Sequence, residues 1–126
     1  TVSLGGGGIP VVEKDGKIVG SEAVIDKDRS SALLANGLDV DLFIISTDAD
    51  QVYIDYKKPT QRGLRTSTVA ELEQLAAEGQ FPAGSMGPKI ESAIKFLKRG
   101  GKQVIITSYE YLTDALEGKA GTTITA

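Results

Sequence analysis

A chain of 126 residues, 40% hydrophobic and 25% charged, can bury one soluble globular core but is too short for two full domains. Its formal net charge of -3 argues against nucleic acid as the main partner, because there is no basic excess to release counterions. It has no cysteine and no histidine, which excludes disulfides, thiol nucleophiles, thiolate zinc sites and the commonest general base. Carboxylates, lysines, hydroxyls and backbone amides are left to do any chemistry, a set that suits phosphoryl transfer. No apolar stretch approaches ~18 residues, so no membrane span is expected. No charged segment followed by an apolar one opens the chain, so no secretory signal is expected and the setting read from the sequence is cytoplasmic.

In chain order, Val2-Ser3-Leu4 reads as a strand end entering four glycines, Gly5 to Gly8, an expectation that the chain starts partway through a fold. Val11-Val12 and Ile18-Val19, separated by a segment containing Lys14-Asp15-Gly16-Lys17, predict a hairpin. A helix follows from about Lys27 to Leu38, closed by Asn36-Gly37. Leu42 to Thr47 starts as an unbroken apolar run, the pattern of a strand buried on both faces, and Gln103 to Ser108 repeats it. Each run turns to hydroxyl residues at its C-terminal end, where ligands bind in open α/β sheets. Between them, Val52-Tyr53-Ile54 predicts a strand. Thr68 and Glu71 form a capping box for a helix carrying Val69, Leu72, Leu75 and Ala76, ended by Gly79. A second helix runs from about Ser85 to Lys98, with Ile90, Ala93, Ile94 and Leu97 on one face and Gly100-Gly101 beyond. A last helix, about Tyr109 to Leu116, stops at Gly118, and Thr122 to Thr125 reads as a final strand. The alternation predicts an α/β domain with a largely parallel sheet and no internal linker.

Five segments can carry chemistry, and each has an ordinary structural reading beside the functional one. Gly5-Gly6-Gly7-Gly8-Ile9-Pro10 is either an anion-binding loop of bare amides or a tight turn. It is not a dinucleotide fingerprint, because no helix opens at the loop. In Asp26-Lys27-Asp28, the carboxylates can cap a helix, or an aspartate can orient a lysine toward a transferring phosphoryl group. Gly84-Ser85-Met86-Gly87-Pro88-Lys89 opens a helix and can bind phosphate there, though it lacks the Gly-Lys-Ser/Thr ending of a Walker loop. Thr47-Asp48-Ala49-Asp50 can orient a nucleotide or hydrated Mg²⁺, or form an Asx-rich turn. Tyr53, Tyr56 and Lys57-Lys58-Pro59 can form a nucleotide rim or a solvated loop.

Taken in order, GGGGIPVV, EAVIDKD, ALLA, DLFIISTDADQVY, YKKP, AEL, GSMGPKIESAIKFL and VIITS resemble the carbamate kinases of the amino acid kinase family. The resemblance covers nearly the whole chain but only the C-terminal part of the family's pattern. It implies an open αβα sandwich, with residues 1–126 forming a single nucleotide-binding lobe. It further implies that Lys27 approaches the phosphoryl group, that Asp28 orients the catalytic lysines, and that Lys89 meets the nucleotide's terminal phosphates. Gly5, Gly6, Gly7 and Gly8 then line the acceptor and the transferred phosphoryl group, and Thr47, Asp48, Tyr53, Ser85 and Met86 border the nucleotide. No protein metal ligand is implied. The implied reaction is reversible phosphoryl transfer between ADP/ATP and carbamoyl phosphate/carbamate with Mg²⁺, a step of arginine metabolism. The implied partners are small-molecule substrates and, in the complete enzyme, a second copy of the chain, with no nucleic acid or membrane. The family's N-terminal glycine-rich motif and lysine-bearing small subdomain have no counterpart here, so activity is expected to need a missing N-terminal lobe. Two alternatives remain: a family member with a different small acceptor, and a non-catalytic nucleotide-binding module.

Overall fold

The first paired segment follows from Asp15-Gly16, two residues that tolerate a left-handed backbone. Strand β1 (Val11–Lys14) turns through them into antiparallel β2 (Lys17–Gly20), with φ of 53° and 73° at the two turn positions. Positive φ at both central residues matches the right-handed twist of the flanking strands. The computed structural model describes residues 4–6 and 8–126. The strand expected at Val2-Ser3 and the position of Gly7 therefore lie outside the described residues.

Helix α1 (Lys27–Gly37) starts where the Asp26 carboxylate accepts from the Arg29 N–H at 2.9 Å, satisfying an amide that has no partner inside the helix. Its closure differs from expectation. Gly37 is still helical, and the left-handed residue is Asp39, with φ 48°. The Asp39 N–H donates to the Asn36 carbonyl and the Val40 N–H to the Ala35 carbonyl, so the closing motif lies two residues beyond the glycine. The Asn36 side chain is used elsewhere, donating to the Phe96 carbonyl at 3.0 Å.

The central sheet has the order β3 (Leu42–Thr47), β7 (Gln103–Ser108), β8 (Thr122–Thr125), β6 (Thr66–Thr68). Two of its three pairings, β3–β7 and β6–β8, are parallel, so the largely parallel sheet is found. The expectation that both apolar runs are buried on two faces holds for β7 alone. In β3, Phe43 and Ile45 are buried while Leu42 and Ile44 are partly open, because β3 is the edge strand among the described residues. Strand β4 (Val52–Ile54) forms as expected but pairs outside this sheet, with β5 (Arg62–Leu64).

Helix α2 (Val69–Ala77) is capped by the Thr68 hydroxyl, which accepts from the Glu71 N–H. The capping box is only half formed, since the Glu71 carboxylate accepts from the Ser67 hydroxyl at 2.8 Å. Helix α3 (Met86–Lys98) is longer, and its Ile90, Ala93, Phe96 and Leu97 enter the core. The last helix is shorter than expected: a 3₁₀ turn (Tyr109–Tyr111) precedes α4 (Leu112–Leu116).

Strand alternation sorts the layers. Phe43 and Ile45 of β3, Val104 and Ile106 of β7 and Ile124 of β8 share one core with Ala32, Ala35, Leu72, Ile90 and Phe96. Helices α1, α2 and α3 therefore cover one face. Ile105 and Thr107 point the other way, toward the side where α4 packs on β7. The result is an open αβα sandwich.

Candidate functional site

Short connections decide where the functional side chains gather. Helix α1 turns into β3 through residues 38–41, and α3 turns into β7 through residues 99–102, so each helix runs against the strand that follows it. The start of each helix thus lies over the carboxyl end of its strand. The two helices also run side by side in the same direction: Asp28 meets Lys89 near their starts and Asn36 meets the Phe96 carbonyl near their ends. Lys27, Asp28, Lys89, Thr47 and Ser108 are therefore collected at one end of the molecule, the edge where open α/β sheets bind ligands.

The centre of the arrangement is Asp28. Its Oδ2 accepts from Lys89 Nζ at 2.9 Å, and Lys27 Nζ stands 3.8 Å from its Oδ1. The Asp28 and Lys89 side chains are each 11% exposed, whereas Lys27 is 52% exposed. A buried carboxylate thus holds one buried ammonium and one ammonium open to solvent. Beside it, Arg29 donates to Glu91 at 2.8 Å, and Lys95 donates to the other Glu91 oxygen at 2.6 Å. Lys95 first, then Arg29, hold the Glu91 carboxyl below its usual pKa, and the bond to Glu91 raises the Arg29 guanidinium above its usual value. This second clamp fixes α1 against α3 beside the first, and its residues were not singled out from the sequence.

The start of α3 is shaped for close approach. Gly87 N–H donates to the Pro82 carbonyl at 2.8 Å, and a Cβ on Gly87 would stand only 2.9 Å from that oxygen. Pro88 has no N–H. Ser85 sits at the cap position without using its side chain there. The Met86 N–H and the Lys89 ammonium are the first-turn groups available to an anion.

At the end of β3, Thr47 donates to Asp48 at 3.0 Å, and the Tyr53 hydroxyl donates to Asp50 at 2.9 Å while accepting from Gln51. The Gln51 bond lowers the Tyr53 pKa, but burial and the bond to Asp50 outweigh it and leave the phenol above its usual value. No group of three acidic side chains able to hold a metal stands among the described residues. Asp48 and Asp50 each keep oxygens beyond those single bonds, which fits a hydrated Mg²⁺ needing only one or two carboxylates. Gly5, Gly6 and Gly8 are exposed and make no hydrogen bond to the rest of the chain among the described residues. The structure thus brings Lys27, Asp28 and Lys89 into contact but brings none of Gly5, Gly6 and Gly8 into a hydrogen bond with them among the described residues.

The profile of the amino acid kinase family matches residues 3–108. The carbamate kinase of Thermoplasma volcanium is 52% identical over 123 residues, and that of Staphylococcus haemolyticus is 52% identical over 124. Each alignment covers 98% of this chain and 40% of the relative, so the chain spans about two fifths of the length of the curated relatives it matches. Among solved structures, the carbamate kinase from Giardia lamblia bound to AMP-PNP superimposes with a TM-score of 0.88 at 46% identity, covering 94% of this chain and 37% of that one. An N-acetylglutamate synthase from Neisseria gonorrhoeae, at 21% identity and TM-score 0.65 over 79% of this chain and 23% of that one, shares the fold.

Proposed function

The chain belongs to the amino acid kinase family, and from that premise we propose that it forms the nucleotide-binding lobe of a carbamate kinase. The complete protein transfers a phosphoryl group reversibly between ADP/ATP and carbamoyl phosphate/carbamate. The observation that carries this reading is the Asp28 carboxylate held between Lys89 and Lys27 at the carboxyl edge of β3 and β7.

Phosphoryl transfer needs reactants in line and positive charge where negative charge spreads, not a protein nucleophile. Lys89 and Lys27 provide that charge from two sides. Asp28 fixes the Lys89 ammonium before substrate arrives, so little reorganisation is needed as the reaction proceeds. Lys89 contacts the nucleotide's terminal phosphates, and the more open Lys27 follows the moving phosphoryl group. Thr47, Asp48, Tyr53, Ser85 and Met86 border the nucleotide; the Giardia relative's AMP-PNP supports a nucleotide on this fold. When bound with the nucleotide, Mg²⁺ adds charge neutralisation on the phosphate oxygens, and Asp48 or Asp50 can hold its hydration shell. Gly5 to Gly8 line the acceptor side, which is completed by the remaining part of a relative-length chain. The complete enzyme acts as a cytoplasmic homodimer on small molecules of arginine metabolism.

In the complete enzyme, Lys89→Ala lowers ATP formation from ADP and carbamoyl phosphate by about 100-fold or more, the scale of losing one preorganised charge donor. Turnover within a few-fold of the parent at saturating substrate removes Lys89 from the mechanism.

A further inference from the structure

Ser108, the last residue of β7, is 5% exposed, and its Oγ has no hydrogen-bond partner among the described residues. Buried hydroxyls normally find one, because leaving it out forfeits the water it had in the unfolded chain. The neighbouring buried hydroxyls obey that rule: Thr107 donates to the Asp50 carbonyl, and Thr122 donates to the Leu64 carbonyl while accepting from the Val52 N–H. Ser108 also occupies the cap position of the 3₁₀ turn at Tyr109–Tyr111 yet makes no capping bond.

Its direction follows from strand alternation. Val104 and Ile106 face the core beneath α1 and α3, so Ser108, two residues on, faces the same layer. It pairs in register with Thr47 of parallel β3. The buried Lys89–Asp28 pair occupies that same layer at that same end. Three other buried polar atoms among the described residues share its lack of a partner, but none ends a strand of the central sheet. Ser92 lies in the middle of α3, away from any strand end. The Asn36 and Gln51 side chains already donate through their amide nitrogens. Among the described residues, Ser108 alone combines an unpartnered buried hydroxyl, a strand terminus and the layer that holds the Lys89–Asp28 pair.

We propose that Ser108 is a further phosphate-contacting residue of this site, its hydroxyl donating to the β-phosphate of the nucleotide that Lys89 holds. The assignment rests on the nucleotide reading above and adds to it a contact that distinguishes a nucleoside diphosphate from a monophosphate. A donor that reaches only the β-phosphate strengthens ADP binding and leaves AMP binding alone.

The test is calorimetric titration of the full-length protein and its Ser108→Ala variant with ADP and with AMP. The expected result is an approximately tenfold loss of ADP affinity, the scale of one hydrogen bond to a charged oxygen, with AMP affinity unchanged. An unchanged ratio of ADP to AMP affinity overturns the proposal while leaving the nucleotide site standing, and so does an equal loss for both ligands. A parent protein that binds neither nucleotide overturns the underlying reading and this contact with it.

Discussion

Replacing Asp28 by alanine strands a buried cation, and the structure sets the scale of the damage. At 2.9 Å, Lys89 and Asp28 attract one another by about 6 kcal/mol at an effective dielectric constant near 20. Most of that attraction offsets the cost of taking both charges out of water, so the pair as a unit contributes little net stability. Asp28→Ala removes the compensation and keeps the cost, about 3–5 kcal/mol, because the Lys89 side chain is only 11% exposed. Lys27 cannot relieve it, being a second positive charge. Lys89→Met is milder, roughly 2 kcal/mol, because Asp28 still has Lys27 at 3.8 Å. The double variant leaves no stranded charge, so it costs less than Asp28→Ala alone and well below the sum of the singles; what persists is lost packing and about 0.5 kcal/mol of α1 dipole complementarity. Urea unfolding measures all four corners. With a slope near 2 kcal/mol per molar, Asp28→Ala moves the midpoint down by roughly 2 M. A shift below about 0.5 M, or strict additivity in the double variant, refutes the reasoning.

Glu91 governs a smaller, pH-dependent term. Its folded pKa lies below its unfolded one, so its contribution is present above the unfolded value and is lost as pH falls through the folded value. Glu91→Gln should therefore show a shallower drop in melting temperature between about pH 5 and pH 3, by an amount kept small because the side chain is 40% exposed. Parallel curves for parent and variant defeat that account. Gly101→Ala places a Cβ 2.3 Å from the Phe96 ring, which is 1% exposed and packed against Phe43 with centroids 5.3 Å apart. Overpacking there costs about 1–3 kcal/mol and lowers the melting temperature accordingly. Gly63→Ala meets only the end of the Gln51 side chain, at 2.2 Å, and costs less than Gly101→Ala because that amide can swing aside. A thermal scan giving the reverse order contradicts the packing argument.

The sequence carried the hairpin at Asp15-Gly16, β3, β7 and the helices at Thr68 and Ser85, because each combines a strong period with a terminal signal. It misplaced the end of α1: a glycine after an asparagine looks like a stop, but Asp39 closes the helix, with Val40 packed against the core and the Asn36 side chain bonded to the Phe96 carbonyl. Strands β5 and β6 were not read from the sequence. Arg62-Gly63-Leu64 and Thr66-Ser67-Thr68 are three residues long, too short to show alternation, and only the fold brings them beside β4 and β8. At the site, Lys27, Asp28 and Lys89 were legible as separate motifs through a resemblance, although 61 residues separate Asp28 from Lys89 in the contact that unites them. The Arg29–Glu91–Lys95 clamp was not legible, since charged residues at those positions look like an ordinary solvated helix face.

The sheet order carries a kinetic consequence. Leu42 must find Gln103, and Thr66 must find Thr123, before either parallel pairing forms. Closing loops of that length costs chain entropy before any strand contact returns it. The antiparallel pairing of β7 with β8 spans the shortest stretch of chain in the central sheet. It is the natural first step, with β3 and β6 added from opposite sides once α3 has lain down on β7. Substitutions that weaken β7 against β8, such as Ile124→Val, should then slow folding. Substitutions confined to β3, such as Ile45→Val, should mainly speed unfolding, a division that stopped-flow rates resolve.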